Sequence, residues 1–272
     1  MGRSLLFWRR PRVPVIELHG LLSARGSRLN VKAYGRVIDR AFQAGKKRGH
    51  VVLDINSPGG SPVQSHLIAT LIRRHADKAG VRVLAVIQDV GASGGYWLAC
   101  AADEILASPM SVVGSIGVVG RSFGLVGLIE RLGIDARVHT AGVNKARLDP
   151  FRPERVEDVE FVNKVLEELH ARFKDWVRDR RGARLVGDEA AVFDGSWVLG
   201  ARARDLGLVD GFDDLDAVVR RIGGDRAIPR VFRPRPPGFV RRLPRWAFNA
   251  VLDGIDEEQG RINVIVDWDQ LN

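Results

Sequence analysis

The 272-residue sequence predicts an α/β protein with a mostly parallel sheet, and three observations carry that prediction. Its short apolar runs, Val13 to Leu18, Val51 to Ile55 and Val81 to Ile87, are continuous rather than alternating, as strands buried on both faces require. Stretches of helical period separate them. Gly-rich turns, Ser57-Pro58-Gly59-Gly60 and Gly91 to Gly95, follow the second and third runs, where neither helix nor strand can continue.

In chain order, VPVIEL at Val13 to Leu18 reads as a strand. Val31 to Ala44 reads as a helix on the spacing of Val31, Tyr34, Val37, Ile38, Ala41 and Phe42. After the second strand and Asn56 to Gly60, a helix is expected from Pro62 to about Ala76. Proline suits its first turn because the N–H it lacks there has no intrahelical partner. The third strand, Val81 to Ile87, leads through Gly91-Ala92-Ser93-Gly94-Gly95 into an apolar helix, Tyr96 to Ala102. Glu104 to Ala107, Ser115 to Val119 and Asp135 to Thr140 are expected to be extended, and Leu125 to Leu132 helical. A long amphipathic helix is expected from Glu154 to about Arg180, with Phe161, Val165, Leu169, Phe173 and Trp176 at steps of three and four. A short helix follows Gly211. The organisation is a basic segment 1–12, a core domain 13–224, and a Pro/Arg-rich arm and tail 225–272.

Composition excludes several classes. With 45% apolar and 28% charged residues the chain is a folded globular protein. The single Cys100 cannot form an internal disulfide, and its place on an apolar helix marks it as a packed thiol. No stretch reaches the roughly 18–20 apolar residues of a transmembrane helix, so a cytoplasmic location is expected, with peripheral contact at the inner face of a membrane, through Phe7, Trp8 and flanking arginines, as the variant. The net charge of +9 is local: Arg220 to Arg245 holds nine arginines and one aspartate. A globular nucleic-acid binder carries its basic residues on folded elements, interleaved with stacking aromatics, whereas these sit in a Pro-rich stretch, Pro229 to Pro244, so no nucleic-acid partner is expected. Neither H-E-x-x-H, C-x-x-C nor a P-loop occurs, so no metal or cofactor is expected.

The chemistry-bearing residues cluster at the turns. Backbone amides in such turns point outward and make an anion-binding concavity, which an enzyme forming a tetrahedral oxyanion needs beside its nucleophile. Ser93, between glycines at the start of an apolar helix, has the exposure a nucleophile requires. None of the six histidines, His19, His50, His66, His75, His139 and His170, stands in a recognisable catalytic spacing. Lys145 lies in a polar interruption, Gly142-Val143-Asn144-Lys145. A lysine serves as a base only when burial or a nearby cation lowers its pKa from about 10.4.

Ile55 to Gly60, Gly91 to Trp97, Val113 to Val118, AGVNKARLDPFRP at Ala141 to Pro153 and GARARDLGLVDG at Gly200 to Gly211 together resemble the signal peptide peptidase A (SppA/SohB-like) family of serine peptidases. The resemblance runs in the family's order from Val13 to Gly211. It implies the crotonase-like (Clp protease-like) fold of repeated ββα units. It also implies Ser93 as nucleophile, Lys145 as general base, Ser115 as the lysine's hydrogen-bond partner, and Gly60 or Gly59 with Gly94 as oxyanion donors. Family members form rings and cleave signal peptides and other unstructured peptides, so a homo-oligomeric ring, tetrameric or larger, acting on peptides is implied. Many members carry an N-terminal membrane anchor, whereas this sequence has only Leu5 to Trp8 in that place.

Other readings stay open at this stage. Gly91 to Gly95 also fits the G-x-S-x-G elbow of α/β-hydrolases, but that fold wants a late histidine, and the last one, His170, falls in the long helix. A crotonase-like acyl-CoA enzyme and a peptide-binding scaffold without turnover share the implied fold.

Overall fold

The structure is a computed structural model that describes residues 10–24 and 29–234; apart from Pro234 these fall in a unit spanning Met1–Arg233. The basic start with Leu5 to Trp8 and the tail from residue 235 lie outside the described residues.

Eight strands form one sheet. β1 (Arg12–His19), β2 (His50–Ser57) and β3 (Arg82–Ala92) pair in parallel at its centre. β8 (Ile228–Phe232) adds in parallel to the outer edge of β1. The other edge of β3 carries β4 (Glu104–Ala107) along its first half and β5 (Val112–Gly114) at its end. β7 (Gly211–Phe212) extends β4, and β6 (Trp197–Leu199) pairs antiparallel to β5. One face is covered by α1 (Val31–Gly45), α2 (Pro62–Ala79) and the short α3 (Gly94–Ala99), packed on Ile16, Leu18, Leu53, Ile55, Ala85 and Ile87. Alternate residues of the same strands, Val13, Val15, Val52, Leu84 and Val86, meet Val218 and Val219 of α8 (Leu215–Gly223) on the other face. That two-sided burial explains the unbroken apolar runs.

The helix ends follow their sequence signals. Asn30 and Ser61 accept from the amides of Ala33 and Gln64, capping α1 and α2, and α2 stops at Gly80 in the left-handed region. α5 (Val156–Arg181) is the expected long helix; α6 (Glu189–Phe193) and α7 (Gly200–Asp205) are short elements after it.

Three expectations differ from the structure. The sheet continues to Phe232, past the expected end of the core at residue 224: Ile228–Phe232 is short and interrupted by Pro229, which suits an edge strand. Ser115 to Val119 and Asp135 to Thr140 are not strands. Both lie beyond β5, where no neighbouring strand offers a ladder, and an apolar run alone does not make one. Residues 119–145, including α4 (Val126–Arg131), instead form an arm that buries none of its residues.

Candidate active site

β3 is bent where the site begins. Its register against β2 shifts between Ile55 and Ser57, which pair with Ile87 and Gly91, so β3 carries extra residues. Asn56 fills the bulge: its Oδ1 accepts the Val90 N–H at 3.1 Å and its Nδ2 donates to Asp89 at 2.9 Å. Such a bulge re-aims the strand beyond it, here toward Ser93.

From Gly91 to Ala102 every residue is buried except Ser93. It sits between β3 and α3 with φ 50° and ψ −122°, a strained conformation for a residue with a Cβ. Its N–H donates to Gly114 O at 2.8 Å, and its carbonyl accepts from Trp97 N–H at 3.0 Å. No side chain caps α3, so the amides of its first turn face the same end as the Ser93 side chain.

The loop after β2 presses onto this junction. A methyl group on Gly59 would come within 2.6 Å of the Gly94 nitrogen and 2.8 Å of Ser93 Cβ. Leu22 holds the loop from behind: its N–H donates to Gly59 O and its O accepts from Ser61 N–H, both at 2.8 Å. Gly60, between these two bonds, has φ 130°, and a Cβ there would lie 2.2 Å from Leu22 O. The Gly59 amide is taken by Ser57 Oγ at 3.2 Å. The Gly60 and Gly94 amides have no recorded partner among the described residues, which makes them the available pair of donors beside Ser93.

Ser115 follows Gly114 as Ser93 follows Ala92, and Ala92 pairs with Gly114. The two serines therefore leave adjacent strand ends. Ser115 also has positive φ, 52°, and is clamped by its N–H to Ser196 O at 2.7 Å. His170 Nε2–H donates to the next carbonyl, Ile116 O, at 2.8 Å. The structure thus gathers Ser93, Gly59, Gly60, Gly94 and Ser115. It does not bring Lys145 to them: that residue is exposed on the arm, and among the described residues its amine has no recorded hydrogen bond or ion pair with Ser93 or Ser115.

The neighbouring groups narrow the chemistry. Among the described residues no histidine has a recorded hydrogen bond to Ser93: His170 is bonded to Ile116 O, His50 to Arg48 O and His19 to Asp54 at 3.1 Å, while His75 stacks on Phe42 and His66 meets Trp97 edge-on. The hydrogen bond to Asp54, opposed by burial, raises the His19 pKa. Burial pushes the Cys100 thiol up to about 12, so it stays a neutral packed group. Tyr96 is fully buried, its hydroxyl donating to Leu208 O at 2.7 Å. Trp97 packs against Phe173 and Trp176. Both aromatics are core residues. No group of three or more acidic, histidine or cysteine side chains suited to a metal occurs among the described residues.

Sequence reasoning missed the Leu22 clamp and Asp158, a buried acid at the start of α5. Neither carried a signal, since a leucine in a loop and an acid in a first helical turn are both commonplace.

Comparison with known proteins places this geometry. The chain is 42% identical over 236 residues to a Brucella abortus protein named Na(+)/H(+) antiporter NhaA, a match covering 85% of this chain and 32% of that protein. It is 35% identical over 160 residues to a putative protease of Methanocaldococcus jannaschii (59% of this chain, 50% of that one). It is 29% identical over 252 residues to the probable protease SohB of Haemophilus influenzae (93% and 69%). The chain thus spans about a third of the length of the Brucella protein. Among its described residues, no helix is long and apolar enough to cross a membrane. Residues 75–228, more than half of the chain and including Ser93, Ser115 and Lys145, match the profile of peptidase family S49. With a mostly parallel sheet and a strained serine between two glycine loops, the chain belongs to peptidase family S49, a family of serine peptidases with the Clp protease-like fold.

Proposed function

We propose that the chain is a serine endopeptidase acting on small or unstructured peptides, signal-peptide remnants among them, through Ser93 and Lys145. The observation that carries the reading is the Ser93 junction: the one residue not buried in a buried run, in a strained backbone conformation, with two unengaged amides beside it.

In this mechanism the Ser93 Oγ attacks the peptide carbonyl carbon while its proton passes to the Lys145 amine. The Gly60 and Gly94 amides hold the oxyanion. The C–N bond breaks, the amine leaves with the proton from Lys145, and water then attacks the acyl-enzyme, regenerating Ser93. Ser115, on the adjacent strand end, orients the lysine.

Lys145 is exposed on the arm and has no recorded hydrogen bond to its own chain's Ser93. The arm exposes Phe123 at 81% and Val143 at 93%, more apolar surface than a lone chain leaves in water. We read it as packing onto a neighbouring copy in a homo-oligomeric ring, delivering Lys145 to that copy's Ser93. The membrane contact expected from residues 7 and 8 rests on a segment outside the described residues.

Ser93→Ala and Lys145→Ala should each abolish cleavage of an unstructured peptide while leaving circular dichroism unchanged. Near-full turnover by Lys145→Ala would remove the dyad.

A further inference from the structure

Asp158 is buried, with its side chain 7% exposed, at the third position of α5. An acid near a helix start is favoured by the helix dipole, but that alone explains neither its burial nor its partners. Arg155 donates to its two carboxylate oxygens from Nε at 3.2 Å and Nη2 at 2.8 Å. Arg147 Nε lies 3.3 Å from Oδ1, an ion pair without hydrogen-bond alignment. The Leu148 backbone faces the carboxylate as well and helps to lower its pKa. The Arg155 hydrogen bond, opposed by burial, holds the carboxyl below the usual carboxylate range, so it is ionised at neutral pH.

Two of these partners belong to the Lys145 loop. Arg147 is two residues beyond Lys145, and its guanidinium also lies 4.4 Å above the ring of Phe161, one helical turn on from Asp158. Leu148, three residues beyond, is held at φ 57°, a conformation a leucine adopts only when its surroundings impose it. One carboxylate therefore ties the chain just after Lys145 to the rigid start of a 26-residue helix. Arg152, Glu154 and Glu157 nearby have no recorded ion pair among the described residues, so the anchoring falls on Asp158.

We propose that Asp158 is a positioning residue for Lys145, fixing the root of its loop on α5 so that the amine is presented in one place. It acts through Arg147 and Leu148 and does not touch substrate. This rests on the reading of Lys145 as the general base, since misplacing a base by about 1 Å can cost about a hundredfold in rate.

The test uses the full chain and an activated peptide ester, on which residual rates remain measurable. Asp158→Asn should lower kcat by about tenfold to a hundredfold with KM within about twofold, at a thermal midpoint that the lost ion pairs lower but that stays above the assay temperature, and Asp158→Glu should recover part of the loss. In a Lys145→Ala background, adding Asp158→Asn should lower the residual rate no further, because no amine remains to be positioned. If Asp158→Asn does not fold, Arg147→Gln, on a partly exposed side chain, should give the same kcat loss and the same lack of effect on Lys145→Ala. Wild-type kcat for these variants while Lys145→Ala is inactive would overturn the positioning role and leave the dyad standing. So would a double variant slower than Lys145→Ala alone. A fully active Lys145→Ala would overturn both.

Discussion

Ser93 and Gly60 share one physical problem: each holds a backbone conformation that its neighbours impose and its own chemistry resists. At Ser93 the strain keeps the hydroxyl out of the core that swallows every residue from Gly94 to Ala102. At Gly60 the absence of a Cβ lets the loop lie against Leu22 with its amide directed away from that contact. Gly60→Ala should therefore shift that amide and lower kcat by about a hundredfold to a thousandfold, the usual cost of losing one oxyanion donor, with KM changed far less; stopped assays on a peptide substrate would read it, and an unaltered kcat would exclude Gly60 as a donor. Ser93 stood out in the sequence as a candidate nucleophile because a serine framed by glycines after an apolar strand is an unusual local pattern. Lys145 was legible only through family resemblance, since nothing about one lysine in a polar loop sets it apart. Asp158 was not legible, because its value comes from two arginines and the Leu148 backbone, which only the fold brings to it.

At the scale of elements, α5 binds the helix that follows Ser93 to the rest of the sheet. Arg180 donates to the carbonyls of Cys100 and Ala102, at the end of α3 opposite Ser93. Arg181, with only 1% of its side chain exposed, makes two 2.9 Å bonds to Asp210, which in turn accepts the amide of Ile105 in β4. Burial pushes the Asp210 carboxyl up, but the Arg181 and Ile105 hydrogen bonds outweigh it and leave the pKa lowered. A carboxyl lowered on folding contributes stability above its ordinary pKa and loses it as pH falls through the folded value. Arg181→Met should leave Asp210 without its main partner and cost about 3 kcal/mol, read as a lower thermal midpoint at neutral pH. The gap from wild type should narrow as pH drops below the carboxylate range, and a gap that stayed constant with pH would assign the loss to packing alone. The long helices and central strands were readable from periodicity, because burial on one or both faces leaves its mark in every turn. The short elements, β6, β7 and the edge strand β8, were not: two to five residues are too few to show a period, and their pairing is decided by distant partners.

The arm lies in water among the described residues. Among the described residues the sheet and its helices bury a continuous core, whereas Val119, Phe123, Leu132, Ile134 and Val143 remain more than half exposed. The apolar runs there do not make strands, because no neighbouring strand of this sheet offers them a ladder. The same arm carries Lys145, so assembly and catalysis become one question. The most direct measurement is peptide turnover by an equimolar mixture of Ser93→Ala and Lys145→Ala chains, unfolded together and refolded. Each variant alone should be inactive, and the mixture should regain about a quarter of the wild-type rate, the share of serine–lysine pairings between neighbours left intact by random assembly in a symmetric ring. A mixture no more active than its two components would contradict delivery of the lysine by a neighbouring copy.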